Sequence, residues 1–205
     1  MKWRITMKMF KILLFLLGVG GVIVMPGCCN PNATVGSQAV TLRPQETNNW
    51  CWAATTQMIT DFLGHGRTQC DLANQRFTRT DCCNDEPSDP TCRKTNNCNM
   101  PGWTMFSESN FDATASATPL SWDSIKNQIY CAKKPMSYAY GPKSGGVGHV
   151  VVINGYFEVG GIRWVAIVDP WAPCNGATRA ITYEEYSNSG TTDHWETNYN
   201  ITWKG

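Results

Sequence analysis

An α+β fold, helices first and an antiparallel sheet after them, is predicted for this 205-residue chain by three observations. Apolar residues recur at helical spacing in residues 51–63, 68–78 and 121–133, all in the first two thirds of the chain. From residue 135 onward they alternate or run continuously in short stretches rich in Val, Ile, Tyr and Trp, as strands do. Gly160 and Gly161 lie between two such stretches and mark a tight antiparallel turn. Helices then strands place a helical lobe beside a sheet lobe, with a cleft between them.

The N-terminus reads as an export signal. Lys2, Arg4, Lys8 and Lys11 precede a 14-residue apolar run, residues 12–25, that ends at Pro26 and Gly27. A membrane span needs about 20 apolar residues, so cleavage is expected over retention as an anchor. Gly27 before Cys28 also fits a lipoprotein signal, with Cys28 as the acylated residue and Cys29 as the alternative, although Met25 and Pro26 are poor residues for that motif. Residues 1–27 are thus expected to be a signal peptide, 28–44 a linker and 45–205 one domain.

Removing the signal takes four of the 17 basic residues and none of the 16 acids, leaving a charge near −3 on 178 residues. Such a chain carries no basic block for nucleic acid. No segment repeats, and residues 141–148, though rich in Gly, lack the Lys-Ser/Thr ending of a phosphate loop. That loop is read as slack before His149.

The first helix, 51–63, presents Ala54, Met58 and Phe62 on one face and is capped by Asn48 or Asn49. After the second helix, residues 81–103 are rich in Asn, Pro, Asp, Thr and Cys and have little apolar periodicity, so disulfides are expected to hold them. With Cys51 free and Cys28 acylated, eight cysteines remain for four bridges whose pairing the sequence leaves open. A zinc site of Cys82, Cys83, Cys92 and Cys98 is the lesser alternative, since the spacing is not that of zinc hooks and no His lies among them. Ser121 caps the helix at 121–133. Strands follow at 135–140, 149–158, 162–168, 177–182 and 195–203, the last with Trp195, Thr197, Tyr199, Ile201 and Trp203 on one face. Thr182 and Glu185 form a capping box for a short helix.

One cysteine stands where chemistry puts a nucleophile. Cys51 opens the first helix, where free backbone N–H groups and the helix dipole favour the thiolate, the form that attacks a carbonyl. Gln45, six residues earlier, can return its amide to the sulfur and join the Cys51 N–H in holding an oxyanion. His149 begins an apolar strand, and the turn at Gly160 and Gly161 brings Asp169 back beside it to fix the imidazole. Amide, thiol, imidazole and carboxylate together make an acyl-transfer site.

The motif of Gln45, Cys51 and Trp52 resembles that of the papain-like cysteine proteases. Gly148, His149, Val150 and Val151, followed by Asp169, Pro170 and Trp171, look closer to the small bacterial branches, the avirulence-type and bacteriocin-leader peptidases. The resemblance covers residues 45–203 and implies a two-lobed papain-like fold, with an N-terminal helical lobe, a C-terminal antiparallel sheet or half-barrel, and the active site in the cleft. It implies a cysteine endopeptidase that acts on protein or peptide and needs no cofactor or metal; the N-terminal signal adds export and a lipid anchor to the membrane, or else a periplasmic or secreted enzyme. Asp169 departs from the Asn common in animal and plant relatives. Trp50 and Trp171 flank the site and are candidates to touch substrate, whereas His65 and His194 read as structural. Two other functions remain open: an inactive papain-fold binding or adhesion lipoprotein, and a transglutaminase or deamidase acting on protein glutamine.

Overall fold

A computed structural model describes residues 29, 30, 32–83 and 98–205. The expected signal segment, Cys28, Cys92 and most of the cysteine-rich loop lie outside the described residues. No described helix is long and apolar enough to cross a membrane.

Helix α1 (Cys51–Phe62) and helix α2 (Gln69–Phe77) form the helical lobe. Helix α3 (Trp122–Lys126) and helix α4 (Tyr183–Asn188) lie against the sheet. The strands are β1 (Val35–Ser37), β2 (Phe111–Ser116), β3 (Met136–Pro142), β4 (His149–Val159), β5 (Ile162–Asp169), β6 (Ala177–Thr182) and β7 (Thr192–Trp203). All pair antiparallel in the order β2-β7-β3-β4-β5-β6. β1 pairs with β4 beyond the stretch that β3 uses. This is the predicted α+β layout, helices and an antiparallel sheet.

The apolar run in β4 is continuous because both faces of the strand are buried. Val151 and Ile153 pack with Trp122, Ile125, Ile129 and Tyr186 under α3 and α4. Val152 joins Met58, Ile59 and Ile201 under α1. A third cluster, with Trp50, Trp52, Leu72 and Met105, fills the helical lobe. There the bridges Cys70–Cys83 and Cys82–Cys98 link α2 to the ends of the cysteine-rich loop, while Cys29–Cys131 ties the N-terminal segment to the end of the π turn after α3. Cys82, Cys83 and Cys98 are therefore spent, which removes three sulfurs from the zinc alternative, and Cys29 is paired rather than available for acylation.

Three local expectations are corrected. Neither Asn48 nor Asn49 caps α1: Trp50 holds the N-cap position and its side chain makes no capping hydrogen bond to the helix. Asn49 turns instead to residue 99, its N–H donating to the Asn99 side chain and its own amide to the Asn99 carbonyl. The helix expected over 121–133 is α3 followed by a π turn, Asn127–Cys131, with Ser121 as its cap as expected. The residues of β7 do not share one face. The register shifts between Ala139 and Tyr140 of β3 and again between Asp112 and Thr114 of β2. Trp195 consequently packs beside Cys51, Thr197 bonds Tyr186 on the other face, and Ile201 returns to the α1 side. Strand alternation survives only while no extra residue is inserted.

Candidate active site

Cys51 is the first residue of α1, 8% exposed, and the free cysteine among the described residues. With no side-chain cap at the helix start, the first-turn N–H groups remain available to a ligand. The helix is held from both sides. The Trp50 and Trp52 indoles donate to the carbonyls of Cys98 and Met100, at 2.8 and 3.1 Å. One turn after Cys51, the Thr55 hydroxyl donates to the Val150 carbonyl at 3.0 Å, which ties α1 to the residue after His149 and fixes the separation of thiol and imidazole.

His149 and Asp169 meet because of one extra residue in β4. From the turn at Gly160 and Gly161, both with positive φ, the hairpin runs in register from Val159 opposite Ile162 to Gly155 opposite Ala166. Continued regularly, it would set Asp169 opposite Val152, on the face away from His149. The register shifts between Ile153 and Gly155, so Val152 pairs with Val168 and Asp169 falls level with Val151, on His149's face. Asn154, the extra residue, is secured by Gln38, whose N–H donates to its carbonyl and whose carbonyl accepts from its side chain.

The imidazole Nε2 lies 2.6 Å from Asp169 Oδ1, and the ring lines the cleft together with Cys51. Asp169 accepts two further bonds, from the Trp171 N–H at 3.0 Å and from Arg179 Nε to Oδ2 at 3.0 Å. Arg179 also donates to the Tyr140 hydroxyl, whose ring stands edge-on to His149. Burial would lower the His149 pKa, but hydrogen bonds and charge from Asp169 and Cys51 push it up to about 9. Burial would raise that of Asp169, but His149, the Trp171 N–H and Arg179 hold it below the usual carboxylate value.

The signs of the pH dependence follow. His149 contributes stability fully below its unfolded value of 6.5 and loses it as pH rises through about 9. Asp169 contributes above its unfolded value of 3.8 and loses it as pH falls through the lower folded value. For a reaction that needs the imidazolium, kcat/KM is expected to fall on the alkaline side with an apparent pKa near 9. A profile that declines from pH 6.5 upward would contradict this arrangement.

Gln45 is fully buried. Its amide donates to the Thr47 carbonyl at 2.9 Å and the Asn48 carbonyl at 2.7 Å, while Oε1 has no partner among the described residues. Turning the amide over would oppose oxygen to two carbonyls, so its two N–H bonds are committed to the turn leading into Cys51. Trp50 is fully buried, with its indole on the Cys98 carbonyl. Trp171, about half exposed, lines the cleft with Asn48, Cys51 and His149. His65 stacks on Trp203, and His194 bonds Thr197 among Tyr138 and Tyr186. The glycine loop has a steric cause as well: a Cβ on Gly141 or Gly148 would overlap the Trp195 indole, which lies against both.

Thr55, Arg76, Arg179 and Trp195 were not anticipated. Arg179 sits on β6 opposite Ile167, a diagonal neighbour of Asp169 that only the β5–β6 register reveals. Thr55 carries a weak signal, since it follows the nucleophile by one helical turn.

Among known proteins, the Peptidase_C39 like family matches residues 37–201. No curated protein matches the sequence. Solved structures that resemble it include the digestive procathepsin L 3 of Tenebrio molitor larval midgut, 12% identical, with TM-score 0.48 over 82% of this chain and 72% of that one. Another comes from work on antibody cross reactivity between the mite allergens Blo t 1 and Der p 1, 11% identical, with TM-score 0.48 over 87% and 73%.

Proposed function

The chain belongs to the Peptidase_C39 like family, and from that membership we propose that it is a cysteine endopeptidase working through Cys51, His149 and Asp169. The observation that carries this reading is a thiol at a helix start and an imidazole bonded to a carboxylate, lining the same cleft. The Cys51 sulfur attacks a peptide carbonyl, and His149 delivers its proton to the departing amine. Water then gives a proton to His149 and attacks the thioester, which releases the acid and restores the thiol. Asp169, its charge secured by Arg179, keeps the ring oriented throughout. The oxyanion forms against the Cys51 N–H at the start of α1. Gln45 serves this hole through the turn that it holds, and a direct part for its amide requires one of its two carbonyl bonds to be given up when substrate binds.

Three disulfides among the described residues fit an oxidising compartment, consistent with an exported enzyme. Cleavage after residue 27 and acylation of Cys28 complete the proposal for its location.

The test is to produce the full chain in an oxidising compartment, react it with an epoxide thiol probe and map adducts by mass spectrometry, alongside hydrolysis of casein. A single adduct on Cys51 and new peptide termini are expected. An adduct only on another residue overturns the assignment. Ammonia release from a glutamine peptide without chain cleavage would replace peptidase with deamidase.

A further inference from the structure

We propose that Arg76 reads a carboxylate on the substrate, in the arm of the cleft bounded by Trp103 and Trp195. This inference rests on the peptidase reading and adds the chemical class that the enzyme recognises next to the bond it cuts.

Two cavities meet at Cys51 and share Val147, Gly148 and His149. One opens toward Asn48 and Trp171. The other, about 270 Å³, has mostly apolar walls from Pro101, Trp103, Val147 and Trp195, and apart from His149 its charged side chain is Arg76. Trp103 and Val147 are exposed, with 48% and 63% of their surface open to solvent, so two large apolar groups frame the entrance without covering it. Trp103 leans on Trp195 at 5.9 Å between ring centroids, and Trp195 lies against Gly148, the residue before the imidazole.

Arg76, near the end of α2, is exposed, but its position is defined. Its guanidinium carbon stands 5.1 Å from the centroid of the Trp52 ring and 5.8 Å from that of Phe77. Trp52 follows the nucleophile and is itself fully buried, so the cation is referenced to Cys51 through one rigid helix. The backbone of Gly102 passes close by, and a Cβ there would come within 2.8 Å of the guanidinium carbon. Glycine at 102 leaves the guanidinium its place in the wall.

Among the described residues no carboxylate forms an ion pair with Arg76, and none of its N–H groups donates a hydrogen bond. The planar fork of an arginine matches a carboxylate in two parallel bonds. Lying over the Trp52 ring, the guanidinium keeps N–H groups that no described acceptor takes. A cation with open donors at the border of an apolar pocket selects a side chain with an apolar stem and an acidic tip, Glu above all. The same chemistry would receive the C-terminal carboxylate of a short peptide.

Two sets of peptides distinguish these sources. In one, acetylated and amidated octapeptides carry Glu, Gln or Lys at each position in turn. In the other, the same peptides with Gln have a free C-terminus. Hydrolysis is measured with the intact protein and binding with Cys51→Ala. About tenfold preference for Glu over Gln at one position next to the cleavage site is expected, collapsing to near one in Arg76→Gln and inverting toward Lys in Arg76→Glu. Preference confined to free C-termini would assign the carboxylate to the chain end. If the intact protein hydrolyses the peptides without telling Glu from Gln or acid from amide, or tells them apart equally in Arg76→Gln, the cation only stacks on Trp52 and the inference fails. If no peptide is cut while Cys51→Ala still binds acidic peptides in an Arg76-dependent way, the peptidase reading fails and the carboxylate site stands.

Discussion

Cys51→Ala is expected to lower kcat/KM for peptide hydrolysis by about 10⁶-fold, to the residue that binding and backbone donors alone can supply. In the proposed mechanism Cys51 would form the covalent bond that divides amide hydrolysis into two easier steps, and no second free thiol stands among the described residues. Among the described residues the other cysteines are disulfide-bonded. His149 would keep its bond to Asp169 in the variant but would lose the group whose proton it manages. The fold should tolerate the change. The sulfur packs against Ala139, Val150 and Trp195 at the edge of a cavity, so a cost of about 1 kcal/mol or less is expected. A thermal melt close to that of the parent, combined with lost turnover and lost labelling, is the predicted outcome. Hydrolysis surviving in Cys51→Ala would remove this residue from the mechanism.

Asp169→Asn should be nearly as informative, because it removes the charge while hardly changing the size of the side chain. In this chain the exchange is expected to cost about 10³-fold in kcat/KM. The carboxylate accepts from His149 and the Trp171 N–H on one oxygen and from Arg179 on the other. An amide keeps one acceptor and gains two donors. If its oxygen stays with His149, its NH₂ faces the Nε–H of Arg179, and two donors oppose each other in a partly buried place. If it turns over, the imidazole loses its acceptor. Arg179→Glu in the same chain supplies an acceptor for the new NH₂ and should restore a large part of the loss, which a double-mutant cycle would read as coupling. The alkaline limb should also move down from about 9 toward 6.5, since the Asp169 charge helps to hold the His149 proton. Asp169→Asn with parental activity and an unshifted limb would show that Arg179 does not govern this position.

Much of this was legible beforehand, for reasons that can be stated residue by residue. Local chain physics writes α1 and its thiol into the run from Cys51 to Phe62, and β4 and β5 into apolar stretches divided by Gly160 and Gly161. Thr182 and Glu185 make the capping box that their spacing implied. Side-chain partners were less legible. Asn49 turned to Asn99, far along the chain, while Gln45 gave its amide to the nearby carbonyls of Thr47 and Asn48. Trp50 went inside to the Cys98 carbonyl.

The site is therefore divided between two levels. Sequence alone determined the candidates for the proposed chemistry, the helix that begins at Cys51, and the strands that bear His149 and Asp169, because nearest-neighbour sterics and periodicity act within a few residues. Only the tertiary structure decided their phase and company. A strand repeats every two residues, so the single extra residue at Asn154 exchanges one face for the other, and nothing local to Asn154 announces it. Register across β5 and β6 then delivers Arg179 to Asp169, and packing of α2 on α1 delivers Arg76 to the cleft.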